Sequence, residues 1–90
     1  MSQPYRVGFL LWPGLTQLDM TGPAQVLSRI PGAEMHYVWK ACEPIPSDCG
    51  LPLMPTVTLA DCPQLDLLCV PGGALVAPVM RDEEVLRWLR

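Results

Sequence analysis

Positive charge, histidine and long apolar runs are all scarce in this chain, and each shortage closes off a class of function. Six basic residues stand against nine acidic ones, for a net charge of −3 in 90 residues, and the bases form no cluster. A surface of that kind does not neutralise a phosphate backbone, so nucleic acid is not an expected partner. No apolar run reaches the length of a membrane span, and no membrane partner is expected either. The opening Met1-Ser2-Gln3-Pro4-Tyr5-Arg6 lacks the charged and long apolar regions of a signal peptide, which makes the cytoplasm the expected location. His36 is the sole histidine, and Cys42, Cys49, Cys62 and Cys69 contain no C-x-x-C pair, so no metal is expected. The four cysteines read as reduced, mostly buried thiols. Cys69 lies within an apparent strand, away from the turns and helix starts where a thiol is acidified.

Apolar residues, by contrast, make up half the chain, while charged residues are 17%. A chain this short buries only roughly 60 to 65% of its unfolded surface. Its two best strands are nevertheless apolar on both faces, as in a parallel sheet covered by helices on both sides. Such a domain needs more helices than can be placed here. The expected fold is therefore α/β, doubly wound around a mostly parallel sheet. Residues 1-90 are read as the N-terminal portion of a single domain, cut at Arg90.

The first strand runs from Arg6 to Trp12 and is ended by Pro13-Gly14. Thr16-Gln17-Leu18-Asp19 then matches a capping box, which predicts a helix starting at Thr16. Pro23 removes the N–H that would bond the Asp19 carbonyl, so a kink or break is expected at Gly22-Pro23, and the helix should end by Pro31-Gly32. Glu34 to Lys40 reads as a second strand. The stretch from Ala41 to Pro63, rich in Pro, Gly, Asp and Ser, suggests an edge ribbon of short antiparallel pieces around Ile45, Leu51 to Met54 and Val57 to Leu59. Leu65 to Val70 is a third parallel strand, running into Pro71-Gly72-Gly73. A short helix over Ala74 to Met80 and a last helix capped by Asp82 complete the reading. The first strand should lie between the second and the third.

If those strands are parallel, Asp19 and the Gly72-Gly73 turn emerge at one sheet edge, where open α/β sheets place ligand sites. Burial between Leu18 and Met20 would disfavour the charged carboxylate and suit Asp19 to general acid or base work. Completion of the capping box at N3 is an equally good account of the same residue. Gly72 and Gly73 could offer backbone N–H groups to a developing negative charge, although a bare Pro-Gly-Gly is more often an ordinary tight turn. It is not a phosphate loop, for no Gly-Lys-Ser/Thr ending follows. His36 reads as a strand residue in a satisfied contact, not as a base.

Three segments together resemble the ThiJ/PfpI superfamily, of class I glutamine amidotransferase-like fold: residues 7–13, Gln17-Leu18-Asp19-Met20-Thr21-Gly22-Pro23, and residues 60–66 through Val70-Pro71-Gly72-Gly73. Within it the chain is most similar to the bacterial isonitrile hydratases, a likeness that Val38-Trp39-Lys40 and Ser47-Asp48-Cys49-Gly50-Leu51 extend. The resemblance implies a flavodoxin-like three-layer α/β sandwich, and with it a carbon–oxygen lyase, a homodimer at full length, that uses no organic cofactor and adds water to a small isonitrile to give an N-substituted formamide. It also implies a cysteine on a nucleophile elbow that forms a thioimidate, with Asp19 handling protons and Gly72 and Gly73 lying by the nucleophile. The elbow should follow the next strand, beyond Arg90, and none of the four cysteines matches it. This segment alone is expected to be inactive. Two other readings stay open: the ligand-sensing domain of an AraC-type transcription regulator, and a non-catalytic remnant.

Overall fold

The computed structural model describes residues 5–73 and 82–89. Its elements follow one another as β1 (Tyr5–Leu10), α1 (Gln17–Leu27), β2 (Ala33–Trp39), β3 (Ile45–Pro46), β4 (Pro52–Leu53), β5 (Val57–Thr58), β6 (Leu67–Cys69) and α2 (Glu83–Leu89). The expected helix over residues 74–80 lies outside the described residues.

β1 is the centre of the molecule because its side chains can be covered on both faces. Val7, Phe9 and Leu10 are fully buried, and the burial continues through Leu11 and Trp12 after the strand has ended. β2 and β6 flank it, both parallel to it, with Val7 between Met35 and Leu67 and Phe9 between Tyr37 and Cys69. Phe9 and Tyr37 stack with ring centroids 5.7 Å apart. Gly8 leaves room for Leu65, whose Cδ2 would lie 3.2 Å from a Cβ there and whose Cδ1 would lie closer still. The sheet order β5-β2-β1-β6 bears out the expected central place of β1.

Two expectations about the sheet need correction. Residues 57–59 are not part of an antiparallel ribbon: β5 joins the main sheet parallel to β2, held by Thr56 N–H on the Tyr37 carbonyl at 2.7 Å and Leu59 N–H on the Trp39 carbonyl at 2.9 Å. Only β3 and β4 form the antiparallel pair. β6 is also shorter than expected and only half buried, with Val70 exposed beyond it, because among the described residues it pairs with β1 alone.

The cysteines depart from expectation as well. Cys42 and Cys49 are exposed, and Cys62 and Cys69 are half-buried, since the loops and the sheet edge that carry them are not covered. All four are free thiols. Burial pushes the Cys62 and Cys69 thiols up, whereas the Ser47 hydroxyl, 3.4 Å from the Cys49 sulfur, together with a backbone bond from Leu51, lowers the Cys49 thiol.

α2 is capped as its sequence predicts. Asp82 Oδ1 accepts the Glu84 N–H at 3.0 Å and the Val85 N–H at 3.2 Å, which satisfies two of the orphan donors of a helix start. The other Asp82 oxygen pairs with Lys40, which follows β2 and also approaches Glu84 at 3.6 Å. Val85 is completely buried beneath. Among the described residues, no helix is long and apolar enough to cross a membrane.

Candidate functional site

The chain leaves β1 towards β2 on one side and later returns through β6 on the other, so the ends of β1 and β6 diverge at a switch point in the sheet. Open α/β sheets hold their ligands in such crevices. Residues 11–19 leave the first of these strands and residues 70–73 leave the second.

Two hydrogen bonds lock the two segments together. The buried Trp12 indole Nε1 donates to the Pro71 carbonyl at 2.7 Å, and the Thr16 N–H donates to the Gly72 carbonyl at 2.8 Å. The Asp19 carboxylate lies beside them, near enough that its Oδ2 would be 3.5 Å from a Cβ on Gly72. The three expected site residues are thus brought to one place. Gly73 sits still deeper: a Cβ there would meet the Trp12 ring at 2.6 Å and the Gly14 carbonyl oxygen at 3.1 Å.

The expected capping box at the start of α1 does not form. Thr16 makes no side-chain cap, and the N–H that a capping-box carboxylate would accept is already given to Gly72. Asp19 therefore has no part in closing the helix end, and among the described residues it forms no ion pair. The helix also runs unbroken from Gln17 through Pro23 to Leu27. Nor is the carboxylate shielded as its neighbours promised. The buried stripe of α1 is Met20 and Ala24, one turn apart, and Leu18 falls off it at 69% exposure, leaving Asp19 exposed.

The glycine segment differs from its expectation too. Residues 71–73 form no turn, and neither Gly72 nor Gly73 has a positive φ. What Gly73 needs is space, not a special backbone angle. Neither glycine N–H donates to a described residue. Trp12, which the sequence offers only as the last residue of the first strand, is the further participant: its indole N–H partner lies 59 residues away, where no local pattern reveals it.

Other candidates lie elsewhere. His36 contacts Glu34 at 2.7 Å, as a satisfied strand histidine should. That bond, with help from Arg6 and against some desolvation, holds the Glu34 carboxyl below its usual range. An open hollow of about 320 Å³ between α1 and the β3–β4 hairpin is lined by Met20, Ala24, Leu53 and Met54 together with the polar Thr21 and Gln25, among others, and includes neither Asp19 nor the glycines. No thiol is among the nearest neighbours of Gly72 or Gly73.

The model of the DJ-1/PfpI family matches residues 5–90. The chain belongs to the DJ-1/PfpI family. It is 52% identical over 85 residues to an isonitrile hydratase of Pseudomonas putida, a match covering 94% of this chain and 37% of that protein. A ThiJ/PfpI family protein from Pseudomonas syringae superposes with a TM-score of 0.90 at 33% identity, covering 99% of this chain and 37% of the other. DJ-1beta of Drosophila melanogaster has a TM-score of 0.79 at 22% identity, over 99% of this chain and 48% of its own, and shares the fold. The chain thus spans little more than a third of the curated relative it matches. The parallel sheet is that of the flavodoxin-like fold of this DJ-1/PfpI family.

Proposed function

We propose that Asp19, Gly72 and Gly73 form one half of a site that hydrates isonitriles to N-substituted formamides. The observation that carries this reading is the exposed Asp19 carboxylate against Gly72, freed from helix capping because the Thr16 N–H is engaged elsewhere. The 52% identity to an isonitrile hydratase across both segments supports the choice of substrate class.

In this chemistry a thiol adds across the terminal isonitrile carbon. The sulfur forms a bond to carbon, and the thiol proton is delivered to the same carbon, giving a thioimidate. Water then adds across the C=N bond, its oxygen to carbon and one of its protons to nitrogen, and the C–S bond breaks as the new hydroxyl gives up its proton to the departing sulfur, leaving the N-substituted formamide and the thiol restored. Asp19 is suited to carry the proton in each step, since a carboxylate accepts it from thiol or water and returns it. The Gly72 and Gly73 N–H groups would oppose charge that builds as the bonds change. The nucleophile is not proposed among Cys42, Cys49, Cys62 and Cys69, so this chain by itself is expected to be inactive.

The reading includes a small-molecule substrate, no organic cofactor, a cytoplasmic setting and a homodimer for the whole protein. Four free cysteines suit a reducing compartment. Exposed Leu18 and Val26 on α1, with Leu51 and Met54 by the hairpin, offer apolar surface for association.

A hybrid tests the proposal: residues 5–89 of this chain replace the matching segment of the Pseudomonas putida isonitrile hydratase. Formamide release from a simple alkyl isonitrile that falls with Asp19→Asn is the expected result. A folded hybrid without turnover, or turnover indifferent to Asp19→Asn, would remove the reading.

A further inference from the structure

The glycine segment is aimed by a side chain that lies outside the reacting group. Trp12 is completely buried, and its indole N–H holds the Pro71 carbonyl at 2.7 Å. No described peptide bond is cis. In a trans peptide the N–H points opposite to the carbonyl of the same plane, so fixing the Pro71 carbonyl towards the core turns the Gly72 N–H away from it. Gly72 is exposed, in keeping with that direction. The next plane is fixed in the same manner, for the Gly72 carbonyl is taken by the Thr16 N–H and the Gly73 N–H must point away from α1.

The two fixings differ in kind. Thr16 uses its backbone, which any residue could supply, whereas the Trp12 bond depends on a side chain with a single donor. The same indole ring blocks the space at Gly73, where a Cβ would meet it at 2.6 and 3.0 Å. Trp12 therefore fixes the segment both by hydrogen bond and by contact. We propose that Trp12 is a positioning residue: its indole N–H sets the direction in which the Gly72 N–H is presented beside the Asp19 carboxylate. This inference rests on the reading of the cluster as a hydration site, and it deepens that reading by naming what orients its backbone donor.

Two measurements decide it. In the isotope-labelled folded hybrid, a through-bond coupling between the Trp12 indole nitrogen and the Pro71 carbonyl carbon is expected, with slower exchange of the Trp12 indole proton than of the indole proton of half-buried Trp88. Absence of the coupling together with fast exchange overturns the proposal whether or not Trp12 variants fold. Trp12→Phe, which keeps an aromatic ring and removes the donor, is then made in the active hybrid. The expected outcome is a fall in kcat of about 100-fold with KM little changed and the pH profile kept, as when an oriented backbone donor is lost. A loss confined to KM, or an unchanged kcat, overturns it. A hybrid inactive with Trp12 in place speaks against the hydration reading instead, while the coupling experiment still reports on the positioning.

Discussion

Gly72 and Gly73 are adjacent and chemically identical, yet their environments predict opposite responses to one methyl group. At Gly73 a Cβ would collide with the fully buried Trp12 ring and the backbone oxygen of Gly14, neither of which is free to move. Gly73→Ala is expected to destabilise the hybrid by about 1–3 kcal/mol, as overpacking does, read from its chemical denaturation. At Gly72 the same methyl meets only Asp19 Oδ2 at the ordinary distance of 3.5 Å. Gly72→Ala should leave the melt of the hybrid almost unchanged and lower its turnover, since the methyl occupies space beside the carboxylate that the substrate would need. Asp19→Asn belongs with it: the side chain is exposed and caps nothing, so the expected loss is in rate, about 10²–10⁴-fold for a general acid–base group, with the melting temperature kept.

α2 depends on charge at both ends of the pH scale. The Lys40 ammonium beside Asp82, with the Val85 N–H, holds the Asp82 carboxyl below its usual range, and Asp82 in turn raises Lys40. A lowered carboxyl contributes stability above its unfolded value of about 3.9 and loses it as pH falls through the folded value. A raised lysine contributes fully below about 10.4 and loses it as pH climbs through its own folded value. The tether of α2 to the end of β2 is therefore strongest between those limits. Lys40→Met should flatten the alkaline arm of a plot of stability against pH and shrink the acid arm, as measured by thermal melts of the hybrid across the range. The cap itself was legible in the sequence because Asp82, Glu84 and Val85 are neighbours in the chain. α1 was legible as a helix but misread at its start, since the group that takes the Thr16 N–H is the carbonyl of Gly72. β1 announces itself by being apolar on both faces, whereas β5 is a two-residue strand whose partner is chosen by the returning chain and not by any local pattern.

Across the whole molecule the sheet order and the convergence of Asp19 with the glycines followed from two apolar segments and the rule for parallel sheets. The orientation device did not, because a buried tryptophan reads as core until its donor is traced to a partner. Apolar side chains remain outside as well: Leu18 and Val26 are 69% and 70% exposed, and Met54 is 57% exposed. β6 presents a half-buried edge among the described residues. Exposed edges and apolar patches invite pairing between chains. Sedimentation of the purified 90-residue chain is expected to show association that grows with concentration, and its thermal melt to lack a cooperative monomeric transition. A single monomeric species melting cooperatively at all concentrations would contradict this.

The bonds from Trp12 to Pro71 and from Thr16 to Gly72 also fix an order of events in folding. Each joins residues more than fifty positions apart, so neither can form until the chain between them has been drawn into a loop, at an entropic cost that local contacts do not carry. α1 has no side-chain cap to nucleate it in advance. Its first turn, with Asp19 on it, is expected to settle as β6 docks against β1. In a peptide comprising residues 5–30 alone, the segment that becomes α1 would remain largely unwound, and the carboxylate would acquire its place only as the last parallel strand closes the sheet.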